Sequence, residues 1–376
     1  MAGITYHPGI NDATEGLYYS IFNTYSMGET KTHGRISLDL TTADGAWHIG
    51  GLPNSEDFLE PALTDKYLLN IPQGWANAYA SSRSLAVGQG YQSGVGVPSH
   101  GPTLFAIAPW EATGNLPADG EAVQTTTTLL QYGGDSTPPN QWLQNWSLTQ
   151  GYSGAAWLKT GNKQAVVFAL SRPLGDVWYG GKDGTVTFTS DLDLPITRSS
   201  EELIRGPMAT EREASFYFYN PTDLAKVATG DMQPWEPQPY LIWDFKKDLI
   251  AGIADREPNV GAISFDAQNG FLYMIQASAD TTDGTQGYNL RSLVYVWKVG
   301  DIDNYPIEYG AGENDSGENP PAEDPVTVPP TPAPTQPGFP VIGSTCHLDI
   351  DGNGTVDSET DGYLLYRYMD LSLIHI

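Results

Sequence analysis

Through the first three hundred residues, apolar and polar side chains alternate in short runs. Among them are LYYSIFNTYS (17–26), RISLDLTT (35–42), TLFAIAPW (103–110), TTTLLQY (126–132), AVVFALS (165–171), TVTFTS (185–190) and SFYFYN (215–220). YLIWDF (240–245), GAISFD (261–266), FLYMIQ (271–276) and LVYVWKV (293–299) continue the series. Such runs, rich in β-branched and aromatic residues and bounded by Gly, Asn, Asp or Pro, predict strands. One stretch alone, PTDLAKVATG (221–230), predicts a helix. GAAWLKTGNKQAVVFAL and GAISFDAQNGFLYMI each predict a hairpin, turning on a Gly/Asn pair and returning through an apolar strand.

A longer period overlies this pattern. Gly101, Gly154, Gly206 and Gly261 recur roughly fifty residues apart, and Gly34 opens another strand 67 residues before Gly101. About four strands per interval is the signature of a β-propeller, whose innermost strands crowd around a channel and favour small residues. The expectation for residues 1–309 is therefore an all-β propeller of five blades, with a β-sandwich as the other all-β reading.

The pattern stops at residue 310. GAGENDSGENPPAEDPVTVPPTPAPTQPGFPVIG (310–343) holds nine prolines and five acids and no basic residue. A segment of that composition cannot bury a core and predicts a semi-stiff, partly polyproline II tether. The whole chain has 376 residues, 45 acidic against 18 basic, and a net charge of −27. So acidic a chain repels phosphate backbones and anionic lipid, which argues against nucleic-acid and membrane-surface partners. No run of eighteen apolar residues predicts a membrane span, and MAGITYHPGINDATEG lacks the basic start and apolar run of a signal peptide. The single cysteine, Cys346, excludes a disulfide framework within this sequence.

Beyond the tether, LDIDGNGTVDSETDGYLLYRYM (348–369) changes the chemistry. Asp349, Asp351 and Asn353 place oxygen ligands at alternate positions, Gly354 permits a sharp turn, and Thr355 offers its carbonyl. Carboxylates this dense repel one another unless a hard cation lies among them, and Ca²⁺ is the expected guest. The twelfth loop position is Thr360 rather than an acid. GYLLYRYM resembles the exit helix of dockerin modules, and aligning its Arg-Tyr pair on Arg367 and Tyr368 implies that Asp361 closes a thirteen-residue loop. Asp357 then stands where a ligand acts through water. The resemblance covers half a dockerin, residues 344–370. It implies a cohesin-like protein or a second dockerin half as partner, and an extracellular or cell-surface setting. LSLIHI (371–376) breaks the helix pattern and is expected to be a non-native tail on a truncated fragment.

The body of the chain resembles bacterial and metagenomic proteins with segments such as LFAIAPW, DVWYG and FYNPTDLAKVATGDMQPWEPQPY. That likeness brings no chemistry with it. If the glycines head the innermost strands, then His33, His100, Tyr152, Ser153, Glu211, Arg212, Glu213 and Asn259 form a polar ring at one mouth of the channel. Such a ring suits a sugar or a cation; the plainer reading is solvated residues at strand starts. Glu211, Glu213 and Asp176 are the candidate catalytic acids of an alternative reading, a polysaccharide hydrolase or lyase. Glycoside hydrolysis needs two opposed carboxyl groups, and here the ring supplies acids from one blade only. Trp142, Trp146, Trp178 and WEPQPY (235–240) are candidate sugar-stacking aromatics, or packing residues. The expected protein is a calcium-binding, secreted or surface modular protein whose propeller binds carbohydrate or a protein partner.

Overall fold

The computed structural model describes residues 3–21, 31–50, 52, 63–89, 99–147, 150–161, 163–180, 186–189, 206–246, 249, 260–280 and 291–299. The chain divides into a compact unit Met1–Tyr305 and a second unit Pro306–Ile376. The predicted tether (310–343) and calcium loop (344–370) lie outside the described residues.

Four sheets make up the first unit. Sheet 1 runs β1 (Gly3–His7), β2 (Gly16–Ser20), β3 (His33–Ile36), β4 (Ala43–Ile49), with β8 (Ala122–Val123) added in parallel on β4. Sheet 2 is β5 (Tyr67–Asn70), β6 (Leu85–Gly88), β7 (Leu104–Ile107) and β9 (Thr126–Leu130). Sheet 3 is β10 (Gly151–Thr160), β11 (Lys163–Gly180), β13 (Gly206–Tyr219) and β14 (Leu241–Asp244), with β12 (Val186–Thr189) paired to the far end of β11. Sheet 4 is β15 (Val260–Asp266), β16 (Phe271–Asp280) and β17 (Arg291–Lys298). The first strand of every sheet, β1, β5, β10 and β15, lines one shared cavity. The arrangement is a β-propeller of four blades, not the five that the glycine period predicts.

The miscount has a physical cause. Only Gly154 and Gly261 lie in first strands; Gly34 and Gly206 lie in third strands, and Gly101 precedes another, β7. Gly34 and Gly101 are small because the rings of Tyr19 and Tyr132 lie against them. The crowding expected of innermost strands is real at Gly154, where a Cβ would sit 2.7 Å from the backbone nitrogen of Ile263 on β15. Gly3 on β1 meets the same limit, 2.8 Å from the backbone nitrogen of Leu68 on β5. One symptom, glycine, has two causes, and the period mixed them.

Both predicted hairpins form, as β10–β11 and β15–β16. Their turns use Gly161 (φ +54°) and Gly270 (φ +69°) in the left-handed region that favours glycine. Asp266 braces the second turn by accepting from the backbone N–H groups of Gln268 and Asn269. RISLDLTT is shorter as a strand than predicted: β3 ends at Ile36, and Leu38 and Leu40 are exposed in the following turn.

The predicted helix is α2 (Pro221–Thr229), with α1 (Gln73–Tyr79) preceding it in the chain. Asn220 caps α2 by accepting from the backbone N–H of Thr222, Pro221 occupies its first turn, and Gly230 ends it at φ +82°. No side chain caps α1, which is why its sequence gave no signal. Trp75 holds it instead, buried edge-on to Trp157 at 4.8 Å.

Three apolar cores join consecutive sheets. Tyr18, Trp47 and Ile49 of sheet 1 pack with Leu68, Leu85, Val87 and Phe105 of sheet 2. Tyr67, Leu104, Leu129 and Tyr132 pack with Tyr152, Trp157, Phe168, Tyr217 and Tyr219 of sheet 3. Ala156, Val167 and Phe216 pack with Ile263, Leu272 and Met274 of sheet 4.

Candidate functional site

Propellers leave an axial space where their innermost strands converge, and here it holds about 210 Å³. Its wall is mostly apolar: Ile4, Leu68, Leu69, Ile71, Pro72, Ala155, Ala156, Trp157, Ile263, Phe265 and Ala267. Four polar side chains complete it, one from each first strand: Thr5 on β1, Asn70 on β5, Lys159 on β10 and Ser264 on β15. Asn70 donates through Nδ2 to the carbonyl of Tyr6 at 2.7 Å, leaving Oδ1 as an acceptor. Trp157 is almost wholly in the core, its indole N–H fixed on Gln164 Oε1 at 2.9 Å, so only part of the ring reaches the cavity. An apolar wall with a few convergent polar groups is the usual make-up of a small-molecule site.

None of these four polar residues was among the sequence candidates. The candidates were sought at strand starts, whereas Asn70 ends β5 and Lys159 is next to last on β10. A signal was present: GAAWLKT was correctly read as opening a hairpin, and its lysine follows two buried residues, Trp157 and Leu158.

The predicted ring is dispersed. Of its described members, Tyr152 and Ser153 alone are on a first strand, β10. Tyr152 is fully buried in the core between sheets 2 and 3, with Gln150 donating to its hydroxyl at 2.9 Å. His33 is buried on β3 with Nδ1 2.8 Å from Thr32 Oγ1, and burial pulls its pKa down to about 3. Arg212 is buried on β13 with Nη1 3.4 Å from Ser171 Oγ. Asn259 and the loop residues Asp349, Asp351, Asn353, Thr355, Asp357 and Asp361 lie outside the described residues.

The three candidate acids share one extension of sheet 3. Strands β11 and β13 continue to pair beyond Ser171, where β10 stops. Glu211 and Glu213 project from one side of β13, and each meets a cation: Lys246 at 3.2 Å and Arg172 at 3.0 Å. Asp176 sits in the irregularity between Leu174 and Val177, its backbone N–H donating to Thr210 Oγ1. The acids thus come from a single blade, which the sequence indicated for Glu211 and Glu213 and the structure adds for Asp176.

His100 is brought together with two of the aromatic candidates. Its ring stacks on Trp146 at 3.9 Å and meets Trp142 edge-on at 4.2 Å. Nε2 donates to Asp135 Oδ1 at 2.7 Å, which leaves buried Nδ1 as an acceptor without a partner. Burial holds His100 below the ordinary imidazole pKa, with Asp135 opposing the shift in part. The backbone on either side is clamped: His100 donates to the carbonyl of Gly133, and Leu143 donates to the carbonyl of His100. The cluster fastens the connection before β7 to the one after β9 and leaves the tryptophans half-buried.

A second histidine pair has the geometry of a serine nucleophile and its base, and the wrong tautomer. His7 Nε2 lies 2.9 Å from Ser84 Oγ, and Nδ1 accepts the backbone N–H of Gly9. Neutral His7 must therefore carry its proton on Nε2 and donate it to Ser84, so it cannot accept the serine's proton.

Compared with protein-family models, with curated proteins and with solved structures, the chain matches none of them. What can be argued about function comes from the residues and their geometry.

Proposed function

We propose that this chain is a modular carbohydrate-binding protein, with a propeller that takes a sugar unit in its axial cavity and a calcium-dependent module that anchors it to a partner. The observation carrying the first half is the cavity wall, with one polar side chain from each of four converging strands on an otherwise apolar surface. A sugar presents the complementary pattern of hydroxyls around an apolar face. The volume, about 210 Å³, is below the roughly 300 Å³ at which pockets for drug-sized ligands begin, so it suits one small unit.

The second half rests on the sequence of the calcium loop and its resemblance to half a dockerin. In this reading Asp349, Asp351, Asn353, Thr355, Asp357 and Asp361 hold Ca²⁺, and the ordered exit helix meets a cohesin-like protein or a second half-module. The Pro-rich tether and the acidic surface suit an extracellular or cell-surface protein.

The test uses the full chain in millimolar Ca²⁺ against a panel of plant, algal and microbial polysaccharides, following retention and released reducing ends together. Retention without release is expected. Released ends would replace the binding reading with the hydrolase one and direct attention to Glu211, Glu213 and Asp176. Loss of the calcium-binding stoichiometry in Asp349→Ala/Asp351→Ala is the expected companion result; an unchanged stoichiometry would remove the calcium module from the proposal.

A further inference from the structure

We infer that the sugar unit taken by the axial cavity is anionic, carrying a carboxylate that Lys159 holds. This rests on the carbohydrate-binding reading and adds the ligand class. The chain has 45 acidic residues and 18 basic ones, yet among the described residues no acid lines the cavity, and Lys159 is the one charged residue that does. Elsewhere the cations are committed: Lys31 to Asp119, Arg35 to Asp44, Arg83 to Glu111, Lys226 to Asp223. Among the described residues no carboxylate pairs with Lys159.

An unpaired surface lysine would by itself mean little, because exposed ion pairs contribute little. Its position is what matters. Thr5 and Ser264, from the first strands of the two terminal sheets, bring to the same cavity hydroxyls that make no hydrogen bond among the described residues. Asn70 adds its Oδ1 acceptor. A sugar carboxylate on the Lys159 ammonium, with ring hydroxyls on Thr5, Asn70 and Ser264, uses each polar residue of the wall among the described residues. The ammonium is a compact charge with three donors, and one such group balances one carboxylate. A phosphate dianion would leave charge uncompensated in a chain whose net charge is −27.

The experiment is calorimetric titration of the full chain with glucuronate, glucose, acetate and glucose 6-phosphate. Glucuronate should bind on the order of tenfold more tightly than glucose, and acetate more weakly than glucuronate. Lys159→Gln should abolish the preference for glucuronate over glucose with an unchanged circular dichroism spectrum, and Lys159→Arg should keep most of it. Equal affinity for glucuronate and glucose, or a Lys159→Gln variant that keeps the preference, would overturn the inference. Tighter binding of glucose 6-phosphate would overturn it in favour of phosphate, and equal binding of acetate in favour of a bare anion site. Polysaccharide retention without a glucuronate preference sinks this inference alone. Absence of both retention and sugar binding sinks the carbohydrate reading beneath it.

Discussion

Three of the four junctions between neighbouring blades are sealed, and the fourth is built differently. Between sheets 1 and 2, 2 and 3, and 3 and 4, fully buried aromatic and aliphatic side chains interlock. Among the described residues no such cluster joins sheet 4 to sheet 1. On β17, Tyr295 and Trp297 turn toward the core shared with sheet 3, whereas Val294 and Val296 face the other way and are 47% and 51% exposed. Their partners on β16, Ile275 and Tyr273, share that open face. In sheet 1, Ile4 and Tyr6 of β1 are 41% and 44% exposed. Nor is there a strand from one end of the chain paired into the sheet at the other end, among the described residues. Stability therefore resides in the three sealed junctions. The axial cavity is bounded on two sides, β1 and β15, by the sheets that flank the open one.

The comparison can be broken most forcefully at Phe168, which is fully buried and packs edge-on to Tyr67 across the second junction and to Tyr219 of its own sheet. Phe168→Ala should lower unfolding free energy by about 3–5 kcal/mol, read from urea or thermal unfolding. A loss below about 1 kcal/mol would show that this junction is not a principal store of stability.

Acid should act next, and on the first junction. Burial depresses His7 to about 4 and His33 to about 3. Both histidines are neutral in the folded state at pH 7. A histidine with a lowered folded pKa binds its proton more readily when unfolded. Stability is therefore fully present above about pH 6.5 and falls as pH drops from there toward the folded values, by an amount on the order of a few kcal/mol. Denaturant midpoints measured from pH 7 to pH 4 should show the decline, and His33→Gln should flatten it. A midpoint independent of pH across that window would contradict the burial of these rings.

A smaller effect belongs to α2, whose Leu224 and Ala225 enter the core between sheets 2 and 3. Asn220→Ala removes the cap that accepts from Thr222 and should cost about 1 kcal/mol, with Asn220→Gly costing less. The smallest effect is expected at the open junction. Val294→Ser and Val296→Ser should each change stability by no more than about 0.5 kcal/mol. A loss comparable to that at Phe168 would mean that this face is covered in solution, and would erase the distinction between the junctions.

Much of this architecture was legible in the residue pattern. Short runs rich in β-branched and aromatic residues identified β2, β7, β9 and β11 to β17. Alternation was the signal at β2, whose buried and less buried positions alternate, whereas β7 is buried throughout and was found by its longer apolar run, TLFAIAPW. β5 and β6, YLLN and LAVG, are four residues each, almost equally buried, and stand in no longer run, so they were missed. α1 was invisible for want of a cap and was formed by the packing of one tryptophan. The cavity residues were missed for a different reason. Thr5, Asn70, Lys159 and Ser264 are unremarkable singly and are spread over more than two hundred and fifty positions; only the convergence of four strands makes them neighbours.

The sequence by itself determined that the body is all-β, where its hairpins turn and where its capped helix begins. Each of these depends on residues close together in the chain, whose local chemistry acts before any fold exists. The tertiary structure alone decided the number of blades, which strands are innermost, and which polar side chains meet at the axis. Glycine marks any place where another group comes too near for a side chain, and the sequence does not say whether that group is a tyrosine ring of the next strand or the backbone of the next blade.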